Sequence, residues 1–255
     1  MPSGWYVAID CEMVGTGPNG SQSALARVSM VDWDGSTIMD SFVKVPVPVT
    51  DFRTDVSGIT QEDLLSDNAH DLEEVRCVVQ TILRGRILIG HGLDNDLSAL
   101  MISHPPHCIR DTARYIPYMR VNKPTSKEEE LLNGKKLGPR KLKDLVKERL
   151  GYCIQEEGHA HSSLEDARAA LELYKIARPE WESLVSRAYI EECRKSKKCN
   201  KNAKRGRRQI TPMSKTDEFT FQGRPQVHHQ NIYLPIKSFT YENREPSSGQ
   251  ISYNY

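Results

Sequence analysis

The sequence predicts an α/β fold, a mixed sheet of three antiparallel strands plus parallel strands, flanked by helices. Two patterns carry this reading. Residues 6–45 hold three strand-like apolar segments separated by turn-rich stretches, as consecutive antiparallel strands do. Residues 70–177 alternate helical periodicity with short apolar runs such as Ile87-Leu88-Ile89, as buried strands between covering helices do. At 255 residues, with 38% hydrophobic and 27% charged residues, the composition is that of an ordinary globular protein able to bury a core.

The first strand is Tyr6 to Gly15, and the cluster Gly15-Thr16-Gly17-Pro18-Asn19-Gly20 turns the chain. Leu25 to Val31 alternates as a second strand, Asp32-Trp33-Asp34-Gly35 reads as a hairpin turn, and Thr37 to Val45 follows as a third. Pro46 and Pro48 end it, because proline cannot donate to a ladder. Residues 50–60 read as a loop, and Thr60 with Asp63 three residues on reads as a helix start. Leu72, Val75, Val79 and Ile82 place a helix over about His70 to Leu83, closed by Gly85. Ile87 to Gly90 is a buried strand leading into a short helix with Leu97, Leu100 and Met101, and Ile109 to Thr112 is another short strand or its end. Ala113 to Leu137 is polar and reads as an exposed insertion. A helix from Pro139 buries Leu142, Leu145, Val146 and Leu150 and stops at Gly151. Ser162 or Ser163 caps a further helix to about Ala177, and Pro179 begins a last short one.

Beyond about Glu192 the pattern dissolves. The expected organisation is a folded domain over 1–188 and a basic, largely disordered tail over 189–255. From Tyr189 onward 13 Lys/Arg face 6 Asp/Glu, whereas the first 188 residues carry 22 against 28. An acidic body with a basic tail suits a metal-rich centre and a polyanionic partner, although such a tail also serves as a solubilising segment. The apolar runs are strand-sized, excluding a membrane-spanning helix class, and no secretory or mitochondrial leader is visible at the N-terminus. The six scattered cysteines lack zinc-site spacing and read as reduced, intracellular thiols, with Cys11 pointing into the core.

The chemistry starts at Asp10-Cys11-Glu12. Side chains alternate across a strand, so the two carboxylates share a face, as a divalent-cation site or as a solvated rim. Partners are expected at the ends of other core elements. Two stretches qualify, His91-Gly92-Leu93-Asp94-Asn95-Asp96 after a buried strand and His161-Ser162-Ser163-Leu164-Glu165-Asp166 at a helix start.

Asp10-x-Glu12, Asn95-Asp96, and His161 with Asp166 five residues later resemble the three motifs of DEDDh exonucleases. Ile9-Asp10-Cys11-Glu12-Met13-Val14-Gly15, Asp51-Phe52-Arg53-Thr54, Val56-Ser57-Gly58-Ile59-Thr60 and His161-Ser162-Ser163-Leu164-Glu165-Asp166-Ala167 are similar in wording to the interferon-stimulated exonuclease, apoptosis-enhancing nuclease and RNA exonuclease four-type group. The resemblance covers about residues 5–178. It implies a ribonuclease H-like fold and a 3′-to-5′ exonuclease with two Mg²⁺ or Mn²⁺ ions held mainly by Asp10, Glu12 and Asp166, with Asp96 helping at the second. Hard cations prefer carboxylate and phosphate oxygen, which agrees with the residue types.

The resemblance makes His161 the general base, with His159 its rival, and makes Asp94 and Glu165 solvated neighbours. It implies that Met13, Val14, Gly15, Gly58, Ile59 and Thr60 sandwich the terminal nucleotide through backbone and apolar contact. For Arg53 two readings stand level, a contact near the terminal ribose and a surface ion pair with Asp51 or Asp55. The face of Arg140, Lys141, Lys143 and Lys147 is either a phosphate track or a solvated helix face. Arg27 and Asp111 are assigned to structural polar networks. Leu97 stands where the family often has Phe, and the 118–138 stretch is unfamiliar. The implied substrate is single-stranded RNA, with DNA as the alternative and a binding adaptor of the same fold as a third reading; protein partners are unknown. The basic tail reads as a nuclear or nucleolar address, an RNA-holding arm, or both, with cytoplasm an alternative location.

Overall fold

The computed structural model describes residues 3–121 and 137–206. Nine strands and six α-helices are described. They are β1 (Tyr6–Thr16), β2 (Gln22–Val31), β3 (Thr37–Lys44), β4 (Val49–Asp51), α1 (Thr54–Ser57), α2 (Gln61–Leu65), β5 (Ala69–Asp71), α3 (Leu72–Leu83), β6 (Ile87–Gly90), α4 (Asp94–Ala99), β7 (Ile109–Asp111), β8 (Arg120–Val121), β9 (Leu137–Gly138), α5 (Leu142–Arg149) and α6 (Ser163–Gly206).

The seven-stranded sheet runs β5-β3-β2-β1-β6-β7, with β4 also on β1. Pairing is antiparallel for β1 with β2, β2 with β3 and β1 with β4, and parallel for β3 with β5, β1 with β6 and β6 with β7. This is the mixed α/β architecture expected. Alternation along β1 sends Val7, Ile9 and Cys11 into one apolar layer with Leu88, Leu93 and α3's Val75 and Val79. Tyr6 and Ala8 face another layer with Leu145, Leu171 and Tyr174 from α5 and α6. Burying such side chains contributes about 1.5–3 kcal/mol each before entropy is counted.

One local feature makes room for a site. Strand β2 pairs with β1 along most of its length, but β6 pairs only with Tyr6 to Ala8 and β4 only with Gly15 and Thr16. Between those contacts the β6 side of β1 has no strand partner among the described residues, and a bulge shifts the β1/β2 register between Glu12 and Met13. The opening lies beyond the carboxyl ends of parallel strands, where α/β sheets place ligands.

Several expectations are corrected. Residues 49–51 form β4 where a loop was expected, because the segment meets the far end of β1. Residues 69–71 form β5 on β3, so α3 begins at Leu72. The start of the supposed insertion is core: Ala113, Tyr115 and Tyr118 are buried, and Tyr118 donates to the Leu173 carbonyl at 2.8 Å. Helix α5 begins at Leu142, three residues past Pro139.

Helix α6 runs through Pro179 without a break and past the expected boundary at residue 188. A proline inside a helix removes one backbone bond and costs about 3 kcal/mol. Contacts on both sides of it hold the axis. Arg110, nearly buried, pairs with Glu182, which also accepts from Tyr174 OH at 2.8 Å, and Trp181 stacks on Tyr115 at 4.1 Å. The chain divides into units Met1–Ala203 and Lys204–Tyr255, and the disorder expected of the tail falls mostly outside the described residues. Among the described residues no helix is long and apolar enough to cross a membrane.

Candidate active site

Four carboxylates meet at the opening beside β1. Asp10 and Glu12 come from the strand itself, on one face as alternation requires. Asp96 sits in the first turn of α4, and the turn that delivers it is tied by Asp111, whose carboxylate accepts from the N–H groups of Gly92 at 2.8 Å, Leu93 at 3.2 Å and Ala113 at 2.9 Å. Asp166 sits in the first turn of α6. That helix start is fastened to the sheet by a 2.7 Å bond between the hydroxyls of Ser163 and Ser29, and Ser29 is the cross-strand partner of Asp10. Ser162 caps the helix, its Oγ accepting from the Glu165 N–H at 3.4 Å.

The electrostatics report mutual crowding. Asp10 is held well above the usual carboxylate range by desolvation, then by Asp96, Asp166 and Glu12. Glu12 is pushed up to about 8, chiefly by burial and then by Asp166, against opposing help from Arg27 and the Ser163 N–H. Burial raises Asp96 and Asp166 to about 6 each. Cys11 is buried in the core, as expected, and burial, then the neighbouring Asp96 carboxylate, holds its thiol well above the usual range. Such crowding of acids calls for cations.

Whether the residues fit a divalent ion is answered by one atom. Asp166 is 4% exposed; its Oδ2 accepts from Gln155 Nε2 at 2.6 Å, while its buried Oδ1 has no hydrogen-bond partner among the described residues. Buried polar atoms are nearly always satisfied, so this oxygen marks a position for a ligand. Among the described residues no group of three or more His, Cys, Asp or Glu side chains is gathered closely enough to hold a metal ion by itself, so any ion here would share its shell with other oxygens. Open carboxylate sets are normal for magnesium, which shares its shell with water and phosphate. The residues fit.

His161 lies half-buried in the loop before α6. Its N–H donates to the Val56 carbonyl at 2.8 Å, and a Cβ at Gly58 would come within 3.1 Å of the Ala160 Cβ, so the α1 turn braces the histidine loop. Gly58 caps α1 with φ of 68°, a left-handed conformation natural to glycine. Burial and then Lys143 hold His161 below the usual imidazole value. His159 is exposed.

The remaining expected residues divide. Met13 is partly buried beside the bulge. Val14 and Ile59 are 0% and 1% exposed and pack together in a small apolar cluster, so their side chains make their apolar contacts inside the protein. Gly15 passes so close to Gly20 that a Cβ would lie 2.8 Å from its Cα. Thr60 forms a capping box with Asp63. Arg53 donates to the Gly20 carbonyl at 3.0 Å and Ser23 Oγ at 3.2 Å and lies 3.7 Å from Asp51, the ion-pair reading, with its side chain one-third exposed.

Arg27 forms a two-pronged pair with Asp40, at 2.8 and 2.7 Å, the structural part assigned to it, and Asp94, expected as a solvated neighbour, is exposed and pairs with Arg114. Arg140, just before α5, and Arg149, at its end, both engage Glu148. Sequence reasoning missed Gln155, Ser163 and Val56 as supports of the site. Gln155 lies six residues before His161 and nothing in its identity marks it, while Ser163 lies within the third motif and reads only as a possible helix cap.

The exonuclease family model matches residues 7–174, which contain all five expected catalytic residues. The chain belongs to the exonuclease family. This family is divalent-metal dependent. The exonuclease chain is 46% identical over 184 residues to RNA exonuclease 4 of Cryptococcus neoformans, covering 72% of this chain and 41% of that one. It is 44% identical over 181 residues to RNA exonuclease 4 of Saccharomyces cerevisiae, covering 71% and 57%. Across such relatives the chain spans about half their length. Among solved structures it resembles the Saccharomyces cerevisiae Pan2 pseudoubiquitin hydrolase-RNA exonuclease module in complex with AAGGAA RNA, with TM-score 0.56 and 29% identity over 75% of this chain and 32% of that one. The Pan2 catalytic unit of Neurospora crassa gives TM-score 0.53 and 26% identity, over 72% and 29%. The exonuclease fold here is ribonuclease H-like.

Proposed function

We propose that this exonuclease hydrolyses single-stranded RNA from its 3′ end, releasing nucleoside 5′-monophosphates with the help of two divalent ions. The convergence of Asp10, Glu12, Asp96 and Asp166, with Asp166 Oδ1 bare and buried, carries the proposal. The names of its relatives and the RNA bound by a structural neighbour support RNA as the substrate.

Asp10, Glu12 and Asp166 would hold the ions with Asp96 helping at the second, and Mg²⁺ or Mn²⁺ suits this all-oxygen set. Bound ions supply a lowered water pKa and charge stabilisation at the phosphate. His161, held neutral near pH 7 by burial and Lys143, takes the proton from the attacking water. Water oxygen bonds to the terminal phosphorus, the bond to the departing 3′-oxygen breaks, and that oxygen receives a proton from solvent.

The braced segment from Arg53 to Thr60 and the backbone around Met13 to Gly15 would line the terminal nucleotide. Arg53, one-third exposed, keeps donors for a ribose hydroxyl. The run Arg194 to Arg208, nine basic residues in fifteen, supports a nuclear or nucleolar address and an arm for RNA.

The test is to incubate 5′-labelled single-stranded RNA and DNA with the protein in Mg²⁺, Mn²⁺ or chelator. RNA should shorten stepwise in either ion, with chelation and Asp10→Ala each lowering the rate at least about 10³-fold, the scale of several kcal/mol of ion stabilisation. Shortening that survives both would refute the metal mechanism, and faster loss of DNA would refute the substrate.

A further inference from the structure

The loop joining α5 to α6 contains a contact that the catalytic reading leaves unused. Gln155 Nε2 donates to Asp166 Oδ2 at 2.6 Å, and the other oxygen of that carboxylate is the buried one without a partner. A carboxylate has two oxygens, and fixing one also fixes the plane and direction of the other. Gln155 therefore decides which way Asp166 presents its free oxygen.

The backbone at this position points the same way. Gln155 has φ of 52°, the left-handed region that a residue with a Cβ rarely adopts. It is kept there by Ile154, whose side chain is 4% exposed in the main apolar layer, and by the amide bond to Asp166. A non-glycine in a strained conformation that the surroundings over-determine is characteristic of functional sites. Glycine would satisfy the turn with less strain, yet it has no amide to offer.

We propose that Gln155 is a positioning residue that orients Asp166 for divalent-ion binding, so that its loss weakens ion affinity without unfolding the protein. The inference rests on the metal reading of the carboxylate cluster and deepens it. Its chemistry is that of an outer-shell hydrogen bond to a ligating carboxylate, whose removal typically costs on the order of 10–100-fold in metal affinity.

The test uses the full chain and Mn²⁺ as the probe, without RNA. Free Mn²⁺ is followed by electron paramagnetic resonance in titrations of wild type, Gln155→Gly and Gln155→Leu, with circular dichroism and melting in chelator as fold controls. Gln155→Gly should melt within a few degrees of the wild-type temperature in chelator, since relief of the left-handed strain offsets the lost hydrogen bond to Asp166. Both variants should bind their tightest Mn²⁺ about tenfold or more weakly. Gln155→Gly separates positioning from mere structure, because it lowers affinity while leaving stability nearly unchanged.

Wild-type affinity retained by both folded variants would overturn the role of Gln155 and leave the metal reading intact. A wild type that takes up no Mn²⁺ would overturn both, starting with the metal reading.

Discussion

At the scale of single residues, the site is a set of acids that cost stability until cations arrive. Glu12 sits at about 8 in the folded chain against an ordinary 4.5, so the folded state holds its proton more tightly than the unfolded state does. This contribution to stability is therefore fully present below about pH 4.5 and lost as pH rises through about 8. Asp96 and Asp166, raised from 3.8 to about 6, act in the same sense over a lower window. In chelator these groups alone should make the melting temperature fall between about pH 5.5 and pH 8.5. Cations favour the ionised forms, so Mg²⁺ should raise the melting temperature more at about pH 8.5. At a hundredfold excess over Kd the gain is about 2.7 kcal/mol, or roughly 5–10 °C. Equal gains at both values, read by calorimetry, would contradict this picture.

The histidines give a second residue-scale prediction. His161 is half-buried and braced by Val56, whereas His159 is exposed. His161→Ala should lower turnover on short RNA by about 10²–10⁴-fold, the usual worth of a general base, and His159→Ala by only a few-fold. The reverse order in single-turnover kinetics would move the base to His159. The motif spacing named His161, but its brace was invisible, since Val56 lies 105 residues away and contributes only a carbonyl.

Among the elements, the two that carry the third motif and its neighbours behave differently from their local sequence. Pro179 reads as a helix start, yet α6 continues through it because Trp181 and Glu182 are held by Tyr115, Tyr174 and Arg110. Pro179 itself is exposed. Pro179→Ala would restore an N–H facing the Lys175 carbonyl and should raise stability, by up to about 3 kcal/mol in chemical denaturation. No gain would mean that the helix has already adapted to the ring. Strands β4 and β5 were similarly illegible: three residues each carry too little periodicity, and their partners β1 and β3 supply the reason to extend. Long periodic elements such as α3, and the buried strand β6, were legible because their own side chains define the buried face.

For the molecule as a whole, the acidic site and the basic run occupy different parts of the chain. Six of the nine cations in the Arg194 to Arg208 run lie by residue 204, at the end of α6. Removing residues 207–255 should leave cleavage of a short RNA within a few-fold of the full chain. It should weaken binding of long RNA and flatten its salt dependence, because each lost phosphate contact removes about 0.9 from the log–log slope on a duplex and about 0.7 on a single strand. A filter-binding series across salt concentrations reads this directly; an unchanged slope would remove residues 207–255 from RNA binding. A folded truncation without cleavage would place part of the tail in the active domain.

The sequence by itself determined the mixed α/β sheet and the list of candidates: Asp10 and Glu12 on a strand, Asp96 and Asp166 at helix starts, and His161 in the loop before the last helix. Alternation, helical spacing and the chemistry of carboxylates are local properties, and they can be read from neighbours in the chain. Only the tertiary structure decided what surrounds them. It turned Val14 and Ile59 inward, tied Arg53 to Gly20 and Ser23, braced His161 on Val56, and gave Gln155 one oxygen of Asp166 while leaving the other free. Those outcomes depend on which distant backbone and side-chain groups packing brings within 3 Å or so, and hydrogen bonding at that range has no periodicity for a sequence to display.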